Sequence, residues 1–225
     1  MLKNAIKKIE KDGGSDARVV FLGDYIDRGA DSCGVVEFLI NGRAANKNWI
    51  CLKGNHDQML PLFMEDCHAQ MTVNFHWLDD RLGGRETLAS YGVNVDDTDP
   101  RQEVHKSAVA AVPDEHIEFL ELLPHSHQEN GIFFVHAGIR PGVSLEHQLD
   151  DDLLWIRDEF LDYKRRHPML IVHGHTPVKK AQHYGNRVNL DTGSGYGRQL
   201  TTAVFEGAEC WTLTDLGRVP LVPSG

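Results

Sequence analysis

Four short apolar runs in this chain each end directly in a polar, glycine-containing motif, and that repetition constrains the fold more than any other feature. Arg18-Val-Val-Phe-Leu22 leads into Gly23-Asp-Tyr-Ile-Asp-Arg-Gly29, and Trp49-Ile-Cys-Leu52 leads into Lys53-Gly-Asn-His-Asp57. Gly131-Ile-Phe-Phe-Val135 leads into His136-Ala-Gly138, and Met169-Leu-Ile-Val172 into His173-Gly-His-Thr-Pro177. Runs this short and this apolar read as strands buried on both faces. Helical patterns alternate with them. Leu2, Ala5, Ile6 and Ile9 recur at helical spacing, and further helices are expected over 32–40, 58–64, 114–123 and 153–163. Segments 187–190, 200–205 and 210–213 read as consecutive antiparallel strands separated by glycine-bearing turns. The class is therefore α/β. In open α/β sheets ligands bind outside the carboxyl ends of the strands, which is where these motifs fall.

Composition narrows what the motifs can serve. At ~150 residues per domain, 225 residues make one to two domains, and without a linker-like stretch one domain over 1–225 is the simpler reading. The stretch 66–111 is the least regular and reads as an insertion shaping the rim of a site. Charges sum to −10, so the chain has no general electrostatic claim on nucleic acid or an anionic membrane. Any phosphate it handles must meet local cations. No apolar run approaches the ~20 residues that cross a bilayer, and the lysine-studded start lacks a signal peptide's apolar core. The four scattered cysteines read as reduced thiols, which places the protein in the cytoplasm.

Carboxylate, imidazole and amide oxygen together suit a borderline divalent ion: manganese, iron or zinc. Asp24, immediately after its strand, can bridge two cations, and Asn55, His136 and His175 can complete the sphere of one of them. Two ions ~3.5–4 Å apart clamp a phosphoryl group and acidify the attacking water. His56 is placed to donate a proton to the departing oxygen, with Asp27 orienting its imidazole. Arg28 offers a planar fork for phosphate oxygens.

In this order the motifs resemble the phosphoprotein-phosphatase branch of the calcineurin-like metallophosphoesterases, over about residues 5–206. The bacterial serine/threonine phosphatases and symmetric diadenosine-tetraphosphate hydrolases are the groups it is most similar to. The resemblance implies a central β-sandwich flanked by helices and two divalent ions, with manganese favoured. It also implies Asp24 as bridging ligand, Asn55, His136 and His175 as second-metal ligands, His56 with Asp27 as general acid and partner, and Arg28 as phosphate clamp. Asp152-Leu-Leu-Trp-Ile-Arg157 resembles the stretch that supplies a second phosphate-binding arginine, here Arg157.

One departure stands out. Family members begin with a strand ending in Gly-Asp-x-His-Gly, whose Asp and His bind the first metal, and no such strand is found here. Asp66-Cys-His68 and Asp114-Glu-His116 have the Asp-x-His spacing, but neither follows an apolar run and a glycine. The expectation is a chain begun at an internal methionine or cut there, holding one ion rather than two and crippled in hydrolysis; evolutionary loss is the alternative.

Each motif alone has a bland reading. An Asp-Arg pair is commonly a surface salt bridge, Asn-His after a strand is commonly a turn, and single histidines are commonly satisfied core residues. His173 reads more readily as core than as ligand. Asp158 and Glu159 leave Arg157 open to a simple ion pair on a solvated helix. The conjunction of four motifs at four strand ends outweighs these readings. The expected activity is metal-dependent phosphomonoester hydrolysis on phosphoserine or phosphothreonine proteins, because the symmetric hydrolases often carry Ala where Asp27 stands. A nucleotide-phosphate substrate, through symmetric dinucleoside tetraphosphate hydrolysis, is the alternative. A non-catalytic phosphate- or partner-binding module is the third.

Overall fold

The computed structural model describes residues 1–72, 75–207 and 209–223. In chain order its elements begin with α1 (Leu2–Gly13), β1 (Val19–Phe21), α2 (Ser32–Ala44), β2 (Trp49–Cys51), α3 (Met59–Glu65), β3 (Gln70–Thr72) and β4 (Phe75–His76). There follow α4 (Gly84–Ser90), α5 (Arg101–Ala111), α6 (Asp114–Glu121), β5 (Ser126–Glu129), β6 (Ile132–Val135), α7 (Asp150–Trp155) and α8 (Asp158–Leu161). The chain closes with β7 (Leu170–His173), β8 (Gln182–His183), β9 (Arg187–Asn189), β10 (Ala203–Glu206), β11 (Glu209–Thr214) and β12 (Gly217–Pro220). These elements form two compact units, one of Met1–Leu22, Lys47–Leu52 and Pro124–Gly225, the other of Gly23–Asn46 and Lys53–Leu123.

The first unit is built on sheets. Strands β1 and β2 pair in parallel, with Val19 opposite Trp49 and Phe21 opposite Cys51. A five-stranded sheet runs β5-β6-β7-β9-β8, parallel at β6-β7-β9 and antiparallel at both edges. Alternation along β6 shows why its sequence is apolar at every position. Phe133 and Val135 pack with Leu153, Ile156 and Phe160 from the α7–α8 segment, whereas Ile132 and Phe134 pack with Cys210, Ala203 and Phe205 from β10 and β11. One face of the sheet is thus covered by helices and the other by the three-stranded sheet β10-β11-β12. Each fully buried aliphatic or aromatic side chain here is worth ~1.5–3 kcal/mol.

The second unit is largely helical. Asp31 caps α2, its side chain accepting from the Gly34 N–H at 3.0 Å. Val36, Leu39, Met59, Leu60, Phe63, Trp77, Leu88, Phe119 and Leu120 are buried in this unit.

The four leading strands and the helices at α1, α2, α3 and α6 fall where the sequence pattern places them. Three expectations are corrected. Residues 153–163 form two short helices rather than one, because the backbone turns at Arg157 (φ −131°, ψ −99°). The late strands are not one antiparallel series: β9 pairs in parallel with β7, and only β10 and β11 are sequential neighbours as expected. The stretch 66–111 is more regular than its sequence implies, with β3, β4, α4 and α5, although residues 73 and 74 of it lie outside the described residues.

Candidate active site

Five of the eight expected site residues, Asp24, Asp27, Arg28, Asn55 and His56, lie in the second unit. Their two loops meet backbone to backbone. A Cβ on Gly23, at φ +93°, would stand 2.4 Å from the Gly54 nitrogen, and one on Gly54 would stand 2.2 Å from Asp24 Oδ1. Only glycines permit that approach. Asp57, fully buried, ties the loops together: its carboxylate accepts from the backbone N–H groups of Asp24 (2.8 Å), Tyr25 (2.7 Å) and Gly54 (2.7 Å). Burial, with the neighbouring Asp24 charge, pushes the Asp57 pKa up to about 7. Asp24 itself is exposed, and its Oδ1 accepts from the His56 backbone N–H at 3.1 Å. Asn55 is buried.

His56 and Asp27 form a buried pair, with His56 Nδ1 2.6 Å from Asp27 Oδ2. Burial disfavours the imidazolium, but the Asp24 charge and the Asp27 hydrogen bond outweigh it and hold the His56 pKa above its ordinary value. Asp27 is therefore a buried partner of His56 rather than a surface carboxylate. Arg28 is half-buried, and its Nη2 donates to the Arg81 carbonyl at 3.4 Å.

The first unit carries His136, His175 and Arg157. Both histidines are buried, and His136 Nε2 lies 3.2 Å from His175 Nδ1. His136 Nδ1 lies 2.7 Å from the Leu22 carbonyl, which accepts only from an N–H, so the proton sits on Nδ1 and Nε2 keeps its lone pair. Arg157 is exposed at the start of α8, and its Nη1 donates to Thr176 Oγ1 at 3.1 Å, one residue beyond His175. His173 is core: it is fully buried against Phe160, and its Nε2 faces Arg187 Nη1 at 3.2 Å. Burial, then the Arg187 charge, lowers its pKa to about 3.

Among the described residues six non-glycine residues have positive φ, and four of them are expected site residues: Asp24 (60°), Asp27 (71°), Arg28 (58°) and His175 (62°). Backbone held in this region by its surroundings is characteristic of functional sites.

The donor types suit a divalent ion. Two imidazole nitrogens each ~2.1 Å from one ion at right angles are about 3 Å apart, and the His136–His175 separation is 3.2 Å. The Nδ1–H to carbonyl bond on His136 is the support that ligating histidines use. Among the described residues no three His, Cys, Asp or Glu side chains are gathered around one point as a metal cluster. Sequence reasoning assigned no role to Asp57, although its motif contains it. It missed Trp77 and Thr87 altogether, both of which touch Asp27.

Strand ends that carry carboxylate, amide and imidazole groups on a mixed α/β frame fit a class of phosphoester hydrolases. The chain belongs to the calcineurin-like phosphoesterase family, whose pattern it matches over residues 1–201. It is 26% identical over 225 residues to the asymmetrical bis(5'-nucleosyl)-tetraphosphatase PrpE of Bacillus thuringiensis (strain Al Hakam), covering 92% of this chain and 82% of that protein. The corresponding PrpE of Anoxybacillus flavithermus is 25% identical, covering 85% of this chain and 77% of that protein. Among solved structures, one provisionally assigned as a diadenosine tetraphosphatase superposes with a TM-score of 0.63 at 20% identity, covering 99% of this chain and 88% of that one. The cold-active protein-tyrosine phosphatase of a Shewanella species superposes with a TM-score of 0.62 at 14% identity, covering 98% and 76%. The fold is the metallophosphoesterase fold, and the family is one of phosphoester hydrolases.

Proposed function

We propose that this chain hydrolyses phosphomonoesters with a divalent metal, and that Asp24, Asn55, His136 and His175 are its metal ligands. The observation that carries this reading is the buried His56–Asp27 pair beside the Arg28 turn. Asp27 accepts from Nδ1, so Nε2 is the His56 nitrogen that delivers a proton to the departing ester oxygen. Arg28, with Arg157 as a second cation, binds the phosphoryl oxygens and supplies the positive charge that an overall −10 chain lacks. When bound, the metal supplies charge that acidifies a water nucleophile and neutralises the phosphoryl oxygens. Manganese is the ion we favour, and the cytoplasm the compartment.

Asp27-Arg28-Gly29 supports phosphoserine and phosphothreonine proteins as substrates. A second reading, dinucleoside tetraphosphate hydrolysis, draws on the PrpE relatives, which are described as asymmetrical rather than symmetric hydrolases. The two separate in one assay with manganese: phosphate release from a phosphoserine peptide against nucleotide release from diadenosine tetraphosphate. Preference for the peptide supports the first reading, and preference for the dinucleotide replaces it with the second. Hydrolysis of neither overturns both.

A further inference from the structure

We propose that Thr87 and Trp77 are positioning residues for His56, acting through the carboxylate of Asp27. The inference rests on the reading of His56 as proton donor. Asp27, His56, Trp77 and Thr87 are all buried within one unit, and Trp77 and Thr87 have no measurable exposure. Thr87 grips Asp27 twice. Its Oγ1 accepts from the Asp27 backbone N–H at 2.8 Å and donates to Asp27 Oδ1 at 2.8 Å. Trp77 Nε1 donates to the same carboxylate, 3.0 Å from Oδ1 and 3.2 Å from Oδ2. Oδ1 thus takes the Thr87 hydroxyl and the shorter arm of a forked Trp77 bond, while Oδ2 meets His56 Nδ1 at 2.6 Å with the longer Trp77 arm beside it.

This division matters because the carboxylate torsion of aspartate is broad and roughly two-fold, so a lone Asp27 would swing between orientations. The Thr87 hydroxyl on Oδ1 and the Trp77 N–H forked across both oxygens remove that freedom and fix the angle at which Oδ2 meets the imidazole. The same contacts hold the backbone. Asp27 and Arg28 both sit at positive φ, 71° and 58°, and the Thr87 hydroxyl holds the first of them by its N–H. Trp77 has a prepared seat: a Cβ on Gly84 would stand 2.7 Å from indole Cδ2 and Cε2, so only glycine lets the ring lie there. Phe63 packs the ring from the core at a centroid distance of 5.2 Å. A hydroxyl and an indole N–H that served packing alone need not converge on one carboxylate.

The test uses Thr87→Val, which keeps the shape and removes both hydrogen bonds to Asp27 together with the 3.3 Å contact to Ser32 Oγ, and Trp77→Phe, which keeps an aromatic ring against Phe63 and removes the N–H. Thr87→Ser is the conservative control. Turnover with manganese is measured on an alkyl phosphate and on p-nitrophenyl phosphate, whose leaving group needs little protonation. Thr87→Val and Trp77→Phe should each lower kcat on the alkyl ester by about tenfold or more, part of the ~10²–10⁴ a general acid supplies. KM should hold, the aryl ester should lose far less, and Thr87→Ser should stay near wild type. In 15N-histidine-labelled protein without metal, the low-field Nδ1 proton of His56, identified by its loss in His56→Asn, should shift or broaden in both disruptive variants and return in Thr87→Ser. Equal losses on both esters, or an unmoved resonance in Trp77→Phe, overturn the proposal even if Thr87→Val fails to fold. A wild type inactive on both esters overturns the phosphomonoester reading and the catalytic consequence with it, and the resonance alone then decides the Asp27 clamp.

Discussion

His136 Nε2 faces His175 Nδ1 at 3.2 Å, and the Leu22 carbonyl fixes which nitrogen of His136 keeps its proton. Two buried imidazoles so arranged share one hydrogen bond in the free protein and offer two lone pairs once His175 shifts its proton from Nδ1 to Nε2. Replacing either by Ala should therefore weaken manganese binding by more than the ~10–100-fold typical of losing a supporting contact to a ligand. Titration calorimetry and metal analysis would measure it. An unchanged metal content in both variants would contradict the ligand set proposed above.

The contact between Gly54 and Asp24 predicts a different kind of loss. A Cβ at position 54 would lie 2.4 Å from the Asp24 backbone nitrogen, where no side-chain rotation relieves it. Gly54→Ala should lower stability by about 1–3 kcal/mol, as overpacking does, and reduce metal binding because Asp24 must move. Thermal unfolding and metal titration on one sample would read both. A variant as stable as wild type, with metal affinity intact, would show that the loops are looser than described.

Arg28 is read as the phosphate clamp, so Arg28→Ala should raise KM and lower kcat together. A charged contact to the reacting group is worth ~2–4 kcal/mol, a loss that steady-state kinetics on either ester would detect. An anion that protects the wild type from unfolding should not protect this variant. Equal protection of both would remove Arg28 from the site.

Much of this was legible from sequence, for physical reasons. Strands β6 and β7 are apolar throughout because both faces are buried, β1 and β2 are apolar though partly half-buried, and each delivers its motif directly at its end. His56 and Asp27 could be paired because a carboxylate commonly orients a proton-donating imidazole and because the motifs resemble those of the family. Strand β5 could not be read, because an edge strand of Ser-His-Gln-Glu carries no apolar alternation. The break at Arg157 has no proline or glycine to announce it. Trp77 and Thr87 lie 50 and 60 residues from Asp27, and a lone tryptophan or threonine says nothing of the carboxylate it meets. Long-range polar contacts of this kind leave no periodic trace, so the part of the site that orients the candidate acid emerged only from the fold.

His183 gives a pH prediction away from the candidate metal ligands. It is buried on β8, burial lowers its pKa, and its Nδ1 accepts from the Gly185 N–H at 3.0 Å, which requires a lone pair there. Below the ordinary histidine value of ~6.5 the unfolded chain takes up the proton more readily than the folded one. This contribution to stability is therefore complete above that value and lost as pH falls through the window beneath it. Compared with His183→Gln, which can accept the same bond without titrating, the wild type should lose stability between pH 7 and pH 5. Urea unfolding of both proteins across that range measures the difference, and parallel curves would show that His183 does not titrate differently on folding.

The sharpest prediction concerns His56→Asn. Asparagine is close in size but cannot deliver a proton, so the variant should fold and keep its metal while turnover falls. The Asp27 carboxylate would then face an amide rather than an imidazolium, still within reach of Trp77 and Thr87, which favours an intact loop. General acids contribute ~10²–10⁴-fold, so a loss in that range is expected on alkyl phosphates, whose leaving oxygen needs a proton. On p-nitrophenyl phosphate the departing phenolate is already stable, and the loss should shrink toward the lower end or below it. A plot of log kcat against leaving-group pKa should steepen in the variant, since charge on the departing oxygen is no longer neutralised in the transition state. A steeper slope with unchanged metal content assigns His56 to proton donation. An equal loss across all leaving groups would instead make His56 a binding or structural residue, and the proton donor would have to be sought elsewhere.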